Sequence, residues 1–484
     1  MSTLKKLATG TVLALALLAV VALLLPVLVP GLHSTSLPMV LNVMSGRGHQ
    51  QASDALLDRL HTVKGYSVTV FARDLAHPRM LALDASGRLL VSNPRGGTVT
   101  LLEDGDGDSV AETRKDLMTG LKNPHGIALH KGYLYIAESH QVGRVPYQNG
   151  EVQGDYTVII EGLTDNGNHW TKSIAFDEQG QLFLSMGSTC NVCEEADARR
   201  ATIMRFDADG SNGRIYASGL RNSVGLAFSP LTGSLFATDN GRDLLGDDFP
   251  PCELNEIVEG GFYGWPYRNG DNVADPDFGN TAPELESTAR PPQHYFPAHN
   301  APLGISFLPN QQRALVALHG SWNRSQPDGY KVVQLDWLEG GIQQSDYLWG
   351  FELDGDIVGR PVDVVPDGAG GVFVSDDYAK VIYKVAKGER KTNAANSVAT
   401  QQQGEATLDG AQVAAGQTLF DNMPCGSCHD RPVNSRLELR GLSRRYDVDT
   451  LAAFFLTPTP PMPRFSLSDE ERLQLAHYLL STRG

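Results

Sequence analysis

His125-Gly126-Ile127-Ala128-Leu129 is followed, after a turn, by Tyr133-Leu134-Tyr135-Ile136. Two apolar runs of strand length separated by a turn with Gly read as a hairpin. The same unit recurs at Met80–Leu83 with Arg88–Val91, Ser173–Phe176 with Gln181–Leu184, and Val224–Phe228 with Ser234–Ala237. It recurs again at Leu303–Phe307 with Ala314–Ala317 and at Pro361–Val365 with Gly371–Val374. One unit repeated at this interval, four strands to a repeat, is the signature of a β-propeller, and six copies imply six blades over residues 64–387. A β-sandwich also contains such hairpins, but it does not require their sequence to recur.

A propeller carries its working residues on loops around the central channel. Asn166-Gly167-Asn168-His169-Trp170 precedes the third copy. A histidine on such a rim titrates near neutrality and can act as a general base. Gly219-Leu220-Arg221-Asn222-Ser223 holds the same place before the fourth copy. Asp239-Asn240-Gly241-Arg242-Asp243 runs on to Asp247, Asp248 and Glu253-Leu254-Asn255-Glu256, a segment rich in the hard oxygens calcium takes. The plainer readings are a hydrogen-bonded loop histidine, a surface ion pair for Arg221, and a solvated acidic loop. Asp104-Gly105-Asp106-Gly107-Asp108 looks like a calcium loop but lacks the Gly and Glu of an EF-hand, and reads as a turn that could carry a structural ion. His125, His299 and His319 lie near loops of the same kind.

Asn168-His169-Trp170 with Met186-Gly187-Ser188, then Gly219-Leu220-Arg221-Asn222 with Gly225-Leu226, then Gly260-Gly261-Phe262-Tyr263-Gly264-Trp265-Pro266 form an ordered set. Over residues 64–387 this set resembles the soluble glucose, aldose sugar and sorbosone dehydrogenases that use pyrroloquinoline quinone (PQQ). Ser188-Thr189-Cys190-Asn191-Val192-Cys193 is nearest to the sorbosone-type branch. The resemblance implies His169 as the base that takes the substrate's hydroxyl proton while hydride passes to the quinone. It implies Arg221 and Asn222 as contacts of the quinone, the backbone carbonyls of Gly241 and Arg242 as calcium ligands, and Arg360 on a PQQ carboxylate. Cations at those points would stabilise charge on the quinone oxygens. The chain departs from the glucose-oxidising members at three points. Val362 replaces a second arginine, Asn168 replaces an aspartate, and the family's lysine has no clean match, with Asn323-Arg324 or Lys331 as substitutes.

Met423-Pro424-Cys425-Gly426-Ser427-Cys428-His429 is C-x-x-C-H, the attachment signal for c-type haem. Cys425 and Cys428 would bind the porphyrin and His429 the iron. Met462, in Pro461-Met462-Pro463, offers the second axial ligand. Gly410 to Leu419 reads as a short helix. Ser468-Asp469-Glu470-Glu471 is a capping box ahead of Leu473, Ala476, Tyr478 and Leu479 at helical spacing. Residues 408–484 resemble the class I cytochromes c, and 388–407 read as a polar linker.

Lys5 and Lys6 precede an uncharged run from Val12 to Leu32, long enough to span a bilayer. Residues 1–34 read as an uncleaved anchor in preference to a signal peptide, with the bulk of the chain outside, and residues 35–63 as a linker. The net charge of −16, with no basic stripe, argues against a nucleic-acid partner. Outside the cytoplasm Cys190 and Cys193 are free to form a disulfide, while Cys252 reads as a small buried hydrophobe.

The expected protein is an all-β six-bladed β-propeller with a C-terminal all-α cytochrome c domain and an N-terminal transmembrane helix. It would sit in the periplasm, anchored in the inner membrane, and oxidise a sugar or related alcohol or aldehyde with PQQ and calcium. Electrons would pass through haem c to a respiratory acceptor. A calcium-dependent propeller lactonase with an attached cytochrome, and a non-catalytic electron carrier with a docking propeller, are the rival readings.

Overall fold

The computed structural model describes residues 54–388 apart from 354, and, further on, residues 410–423, 442, 448–456, 465 and 467–483. The chain divides into two compact units, Met1–Arg390 and Lys391–Gly484.

The first unit is a six-bladed β-propeller. All six hairpins read from the sequence form the two inner strands of a blade. They are Leu81–Leu83 with Leu89–Asn93, Ile127–His130 with Tyr133–Ala137, and Lys172–Phe176 with Leu182–Met186 for blades 1 to 3. Ser223–Phe228 with Leu235–Asp239, Pro302–Phe307 with Arg313–Leu318, and Pro361–Pro366 with Val372–Asp376 follow for blades 4 to 6. The second strands are buried on both faces because neighbouring blades stack against them. Leu89–Asn93, Leu182–Met186, Leu235–Asp239 and Val372–Asp376 are buried at every position. A strand covered on both sides reads as a continuous apolar run, which made these segments conspicuous.

The ring closes with a strand from the start of the described chain. Tyr66–Ala72 pairs antiparallel with Val381–Lys387 as the outer strand of blade 6, from Tyr66↔Lys387 to Ala72↔Ile382. Residues 54–62, read as linker, belong to this fold instead. Leu56, Leu57 and Leu60 are buried in the core between blades 5 and 6, and His61 and Thr62 pair with Trp349 and Leu348 on the edge of blade 5. Side chains join the blades at the channel. Thr238 Oγ1 donates to Leu303 O at 2.7 Å, Ser375 Oγ to Arg79 O at 2.6 Å, and Leu81 N–H to the Asp363 carboxylate at 2.9 Å.

Blade 4 contains a long excursion between its third strand, Cys252–Ile257, and its fourth, His294–Phe296. On the way, Gly261–Phe262 pairs parallel with blade 3, Ala217↔Gly261 and Ser218↔Phe262. The excursion therefore stitches two blades together.

In the second unit the described helices are Gly410–Asn422, Val448–Phe454 and Asp469–Arg483. Phe420, Leu442, Leu451, Phe455, Leu475, Tyr478 and Leu479 form its core. Gly416 lies directly against the backbone of Gln474, where a side chain would collide with that carbonyl, and Phe420 meets Tyr478 at 5.5 Å between rings. Ser468 caps the last helix, with Glu471 N–H donating to its Oγ at 3.2 Å. Cys425, Cys428, His429 and Met462, and the N-terminal segment 1–34, lie outside the described residues. Among the described residues no helix is long and apolar enough to cross a membrane.

Candidate functional site

Antiparallel pairing decides where the site lies. The start of each innermost strand sits beside the end of the second strand: Lys172↔Met186, Ser223↔Asp239, Pro302↔Leu318, Pro361↔Asp376. Loops entering a blade and loops leaving its second strand therefore share one end of the channel. His169, Arg221, Asn222, His299 and Arg360 come from entering loops. Ser188–Cys193, Asp239–Asp243, His319–Arg324 and Asp377 come from leaving loops.

His169 is half-buried, and its Nδ1 lies 3.0 Å from Ser188 O and 2.9 Å from Ser188 Oγ. The Ser188 hydroxyl already donates to Cys190 O at 2.7 Å, so both groups facing Nδ1 are acceptors. This fixes the tautomer: the proton is on Nδ1, and Nε2 keeps its lone pair. Burial first, then the nearby Arg221 charge, hold the imidazole pKa well below 6.5. A neutral histidine with a free Nε2 is a base ready to accept a proton. Arg200, almost fully buried, clamps this arrangement by donating to His169 O at 3.0 Å and to Ser188 O at 2.9 Å.

Asn222 sits beside His169. A Cβ added at Gly187 would stand 2.6 Å from Asn222 Oδ1 and 2.7 Å from His169 Cβ, so glycine leaves the space between them open. Asn222 Oδ1 is shielded from solvent and has no partner among the described residues, and the same holds for Asn300 Oδ1 and Asn323 Oδ1. Three amide oxygens without a partner on one rim are acceptors open to a donor or a cation. The backbone of the entering loop is fixed by Asp239, which accepts from Arg221 N–H (3.0 Å), Asn222 N–H (2.8 Å) and Ser223 Oγ (3.0 Å).

Arg221 differs from the expectation that it faces the quinone. All five of its guanidinium hydrogens are directed at protein acceptors. Nε donates to Asn191 O (2.9 Å), Nη1 to Asn240 O (3.2 Å) and Gly241 O (2.9 Å), and Nη2 to Asn191 Oδ1 (2.9 Å) and the Asp243 carboxylate (2.8 Å). It holds the 240–243 loop in place. Arg242 anchors the same loop from the other side, its guanidinium fully buried on Asp275 (2.6 Å) and Asp277 (3.0 Å). The backbone carbonyls of Gly241 and Arg242 thus belong to a rigid turn. The acidic residues after it do not converge: Asp248 is exposed and pairs with Arg324 at 3.0 Å, and Asp247 accepts from Ser325 N–H at 3.2 Å.

Arg360 donates through Nε to His319 O (3.0 Å) and through Nη2 to Gly320 O (2.7 Å), with its guanidinium 5.6 Å over the Tyr330 ring. The candidates for the family's lysine differ in how far protein partners occupy them, and Asn323 keeps an unmatched Oδ1. Lys331 pairs with Asp346 at 2.7 Å, and Arg324 is bound to Asp248 and to Ala298 O. Lys172, which sequence reading passed over, is fully buried at the start of the innermost strand of blade 3, and its Nζ donates to Trp170 O at 3.0 Å. Burial and the Arg200 charge lower its pKa to about 7. Its signal was a lysine at the head of an otherwise apolar inner strand. Arg79 pairs with Asp377 at 2.7 Å, and His319 with the other Asp377 oxygen at 2.9 Å. His125 is buried, with Nδ1 3.2 Å from Lys172 O. His299 Nε2 donates to Gly246 O at 2.7 Å. Lys172, Arg200 and Arg360 enter none of the ion pairs among the described residues. These three side chains, standing among the Asp239, Asp243 and Asp377 carboxylates of the same rim, are the ones that could take an anionic group such as a carboxylate.

Cys190 and Cys193 form a disulfide and Cys252 is buried and free, as expected. Asp104, Asp106, Asp108 and Glu112 gather on the opposite end of blade 1, where Asp104 accepts backbone N–H groups from Gly107 and Ser109 as a turn does.

A family profile described as TrAA12-like matches residues 60–251 and 280–388. An uncharacterised protein of Borreliella burgdorferi is 31% identical over 362 residues, 69% of this chain and 92% of its own. A pyrroloquinoline quinone-dependent pyranose dehydrogenase of Coprinopsis cinerea is 27% identical over 332 residues, 57% of this chain and 44% of that protein. The chain thus spans less than half the length of the latter. The holo PQQ domain of the Coprinopsis cinerea pyranose dehydrogenase superposes with a TM-score of 0.60 at 22% identity, covering 68% of this chain and 97% of that domain, a likeness of fold. The profile spans most of the propeller, and on that extent the chain belongs to the TrAA12-like family.

Proposed function

We propose that the propeller is a PQQ- and calcium-dependent dehydrogenase of a sugar or related alcohol or aldehyde, of aldose or sorbosone type. The observation that carries this is His169, whose Nδ1 is locked on Ser188 so that Nε2 is an unprotonated base beside the unmatched Asn222 amide. PQQ, when bound, supplies the two-electron oxidant. Arg360 and the buried Lys172 would take its carboxylates, Asn222 its quinone edge, and the carbonyls of Gly241 and Arg242 a calcium ion. His169 Nε2 takes the proton of the substrate hydroxyl. Arg200 and Ser188 keep the ring from turning, and Arg221 holds the 240–243 carbonyls in one orientation.

The C-terminal unit is proposed as a cytochrome c, in which Cys425 and Cys428 would hold the haem and His429 and Met462 would supply ligands to an iron that carries single electrons. Support comes from the C-x-x-C-H motif and from the close crossing of the first and last helices at Gly416. Electrons would continue to a respiratory acceptor. The Cys190–Cys193 disulfide favours an oxidising compartment, consistent with an anchor at residues 1–34 and a periplasmic propeller.

Dye-linked turnover on a panel of aldoses and sorbosone tests the first claim. Turnover is expected only when PQQ and Ca²⁺ are both supplied. Dye reduction indifferent to PQQ, or lactone hydrolysis with calcium alone, would overturn it.

A further inference from the structure

We propose that Asn191, presented by the four-residue loop that the Cys190–Cys193 disulfide closes, is the positioning residue of the site, acting through Arg221 and Asp243. The inference rests on the dehydrogenase reading for its functional consequence alone. Asn191 uses nearly every polar atom it has. Its carbonyl accepts from Arg221 Nε at 2.9 Å and Trp265 Nε1 at 3.3 Å. Its Oδ1 accepts from Arg221 Nη2 at 2.9 Å and Asp243 N–H at 2.8 Å, and its Nδ2 donates to Asp243 O at 3.0 Å. Two of the five Arg221 hydrogens thus end on this one residue. Asp243 carries the constraint onward, its carboxylate binding Arg221 (2.8 Å) and Asn323 Nδ2 (2.9 Å) on the leaving loop of blade 5. From Asn191, three blades are set relative to one another around the 240–243 turn, whose Gly241 and Arg242 carbonyls are the proposed calcium ligands.

A half-buried loop of this kind has little packing to hold it, so its order depends on cross-links. The disulfide removes most of the freedom of the segment 190–193. Glu195 closes it from the other side, accepting from Thr189 N–H at 2.6 Å and Thr189 Oγ1 at 2.8 Å. Reduction by an external dithiol breaks the S–S bond and forms two thiols, while the two electrons and two protons come from the dithiol, which becomes a disulfide. Asn191 then loses its constraint and Arg221 is left with buried donors unmatched. The site is therefore complete only after a thiol oxidant has acted on the chain, which ties activity to an oxidising compartment.

The test compares wild type, Asn191→Ala, the double variant Cys190→Ser/Cys193→Ser, and wild type reduced with dithiothreitol and reoxidised. Two quantities are read: hydrogen exchange of the peptide 239–246, and the Kd for PQQ. Loss of a charge-assisted hydrogen-bonding partner predicts that both variants and the reduced protein exchange faster and bind PQQ roughly tenfold or more weakly. Reoxidation is expected to restore both. Asn191→Asp, which keeps the acceptors for Arg221, is expected to recover part of the affinity. Exchange unchanged in Asn191→Ala would overturn the proposal, as would faster exchange with PQQ affinity unchanged, the pattern of a merely structural loop. A wild type that does not bind PQQ would sink the dehydrogenase reading instead, and exchange would then decide whether Asn191 holds the Asp243 turn.

Discussion

As the proposed base, His169 depends on what surrounds its other nitrogen. Two acceptors at Nδ1 leave Nε2 unprotonated, and burial keeps the ring neutral. His169→Ala should lower kcat by roughly 10²- to 10⁴-fold, the usual contribution of a general base, while PQQ affinity stays near wild type. A base acts when unprotonated, and this pKa lies well below 6.5, so kcat/KM should be level through neutrality and fall only in acid well below pH 6.5. An acid limb centred at or above 6.5 would contradict the assignment. Lys172 predicts a stability effect of definite sign. Its folded pKa, about 7, lies below the ordinary 10.5, so the folded state disfavours the charged form. The penalty is fully present below about pH 7 and disappears as pH rises from 7 towards 10.5. In thermal melts without PQQ, Lys172→Met should therefore gain most over wild type below pH 7 and least near pH 10. A gain that grows with pH would contradict this. The loops of His169 and Asn222 were legible because the repeat fixes where the entering loops fall, and the structure places both on one rim, whereas Arg360 was named by the family resemblance alone. Arg200 and Asn191 were not legible, because each acts through partners far along the chain, Arg200 on His169 O and Asn191 on Asp243; Lys172, whose bond is to the neighbouring Trp170 O, carried only the signal of a charge in an apolar strand. Arg221 was read as a contact of the quinone, and in the structure its five donors are directed at protein acceptors.

Among the elements, the inner hairpins were legible and the outer strands were not. Thr113–Met118 and Arg214–Ser218 are largely exposed at their starts and carry no continuous apolar run. The excursion joining blades 3 and 4 was also hidden, since the parallel pair Ala217↔Gly261 has no local signal. The glycine shared by His125-Gly126-Ile127, Val224-Gly225-Leu226 and Leu303-Gly304-Ile305 has a clear cause. A Cβ at Gly126 would stand 2.7 Å from Lys172 O, one at Gly225 would strike Leu303 O, and one at Gly304 would strike Asp363. Each glycine lets an innermost strand approach the next blade. Gly225→Ala should destabilise the propeller by about 1–3 kcal/mol, the range for overpacking, as measured by chemical denaturation. A loss under ~0.5 kcal/mol, the range of neutral surface changes, would mean the blades can part at no cost.

At the scale of the whole molecule, the ring is held by a strand from its beginning, Tyr66–Ala72, paired with Val381–Lys387 at its end. The sequence pointed to six blades but not to this closure, because a pairing across more than 300 residues leaves no local pattern. The haem proposed on the second unit would give the propeller's proposed electrons a destination, and covalent linkage would raise the effective concentration of donor and acceptor. The most direct measurement is the visible spectrum of the full-length protein, read at the bands of the proposed haem, on mixing with aldose or sorbosone in the presence and absence of PQQ and Ca²⁺. Haem reduction that requires sugar, PQQ and calcium together, and that is lost in His169→Ala, is the predicted result. A haem that dithionite reduces but that sugar never reduces with PQQ and calcium present would contradict the account and leave the propeller as a docking module.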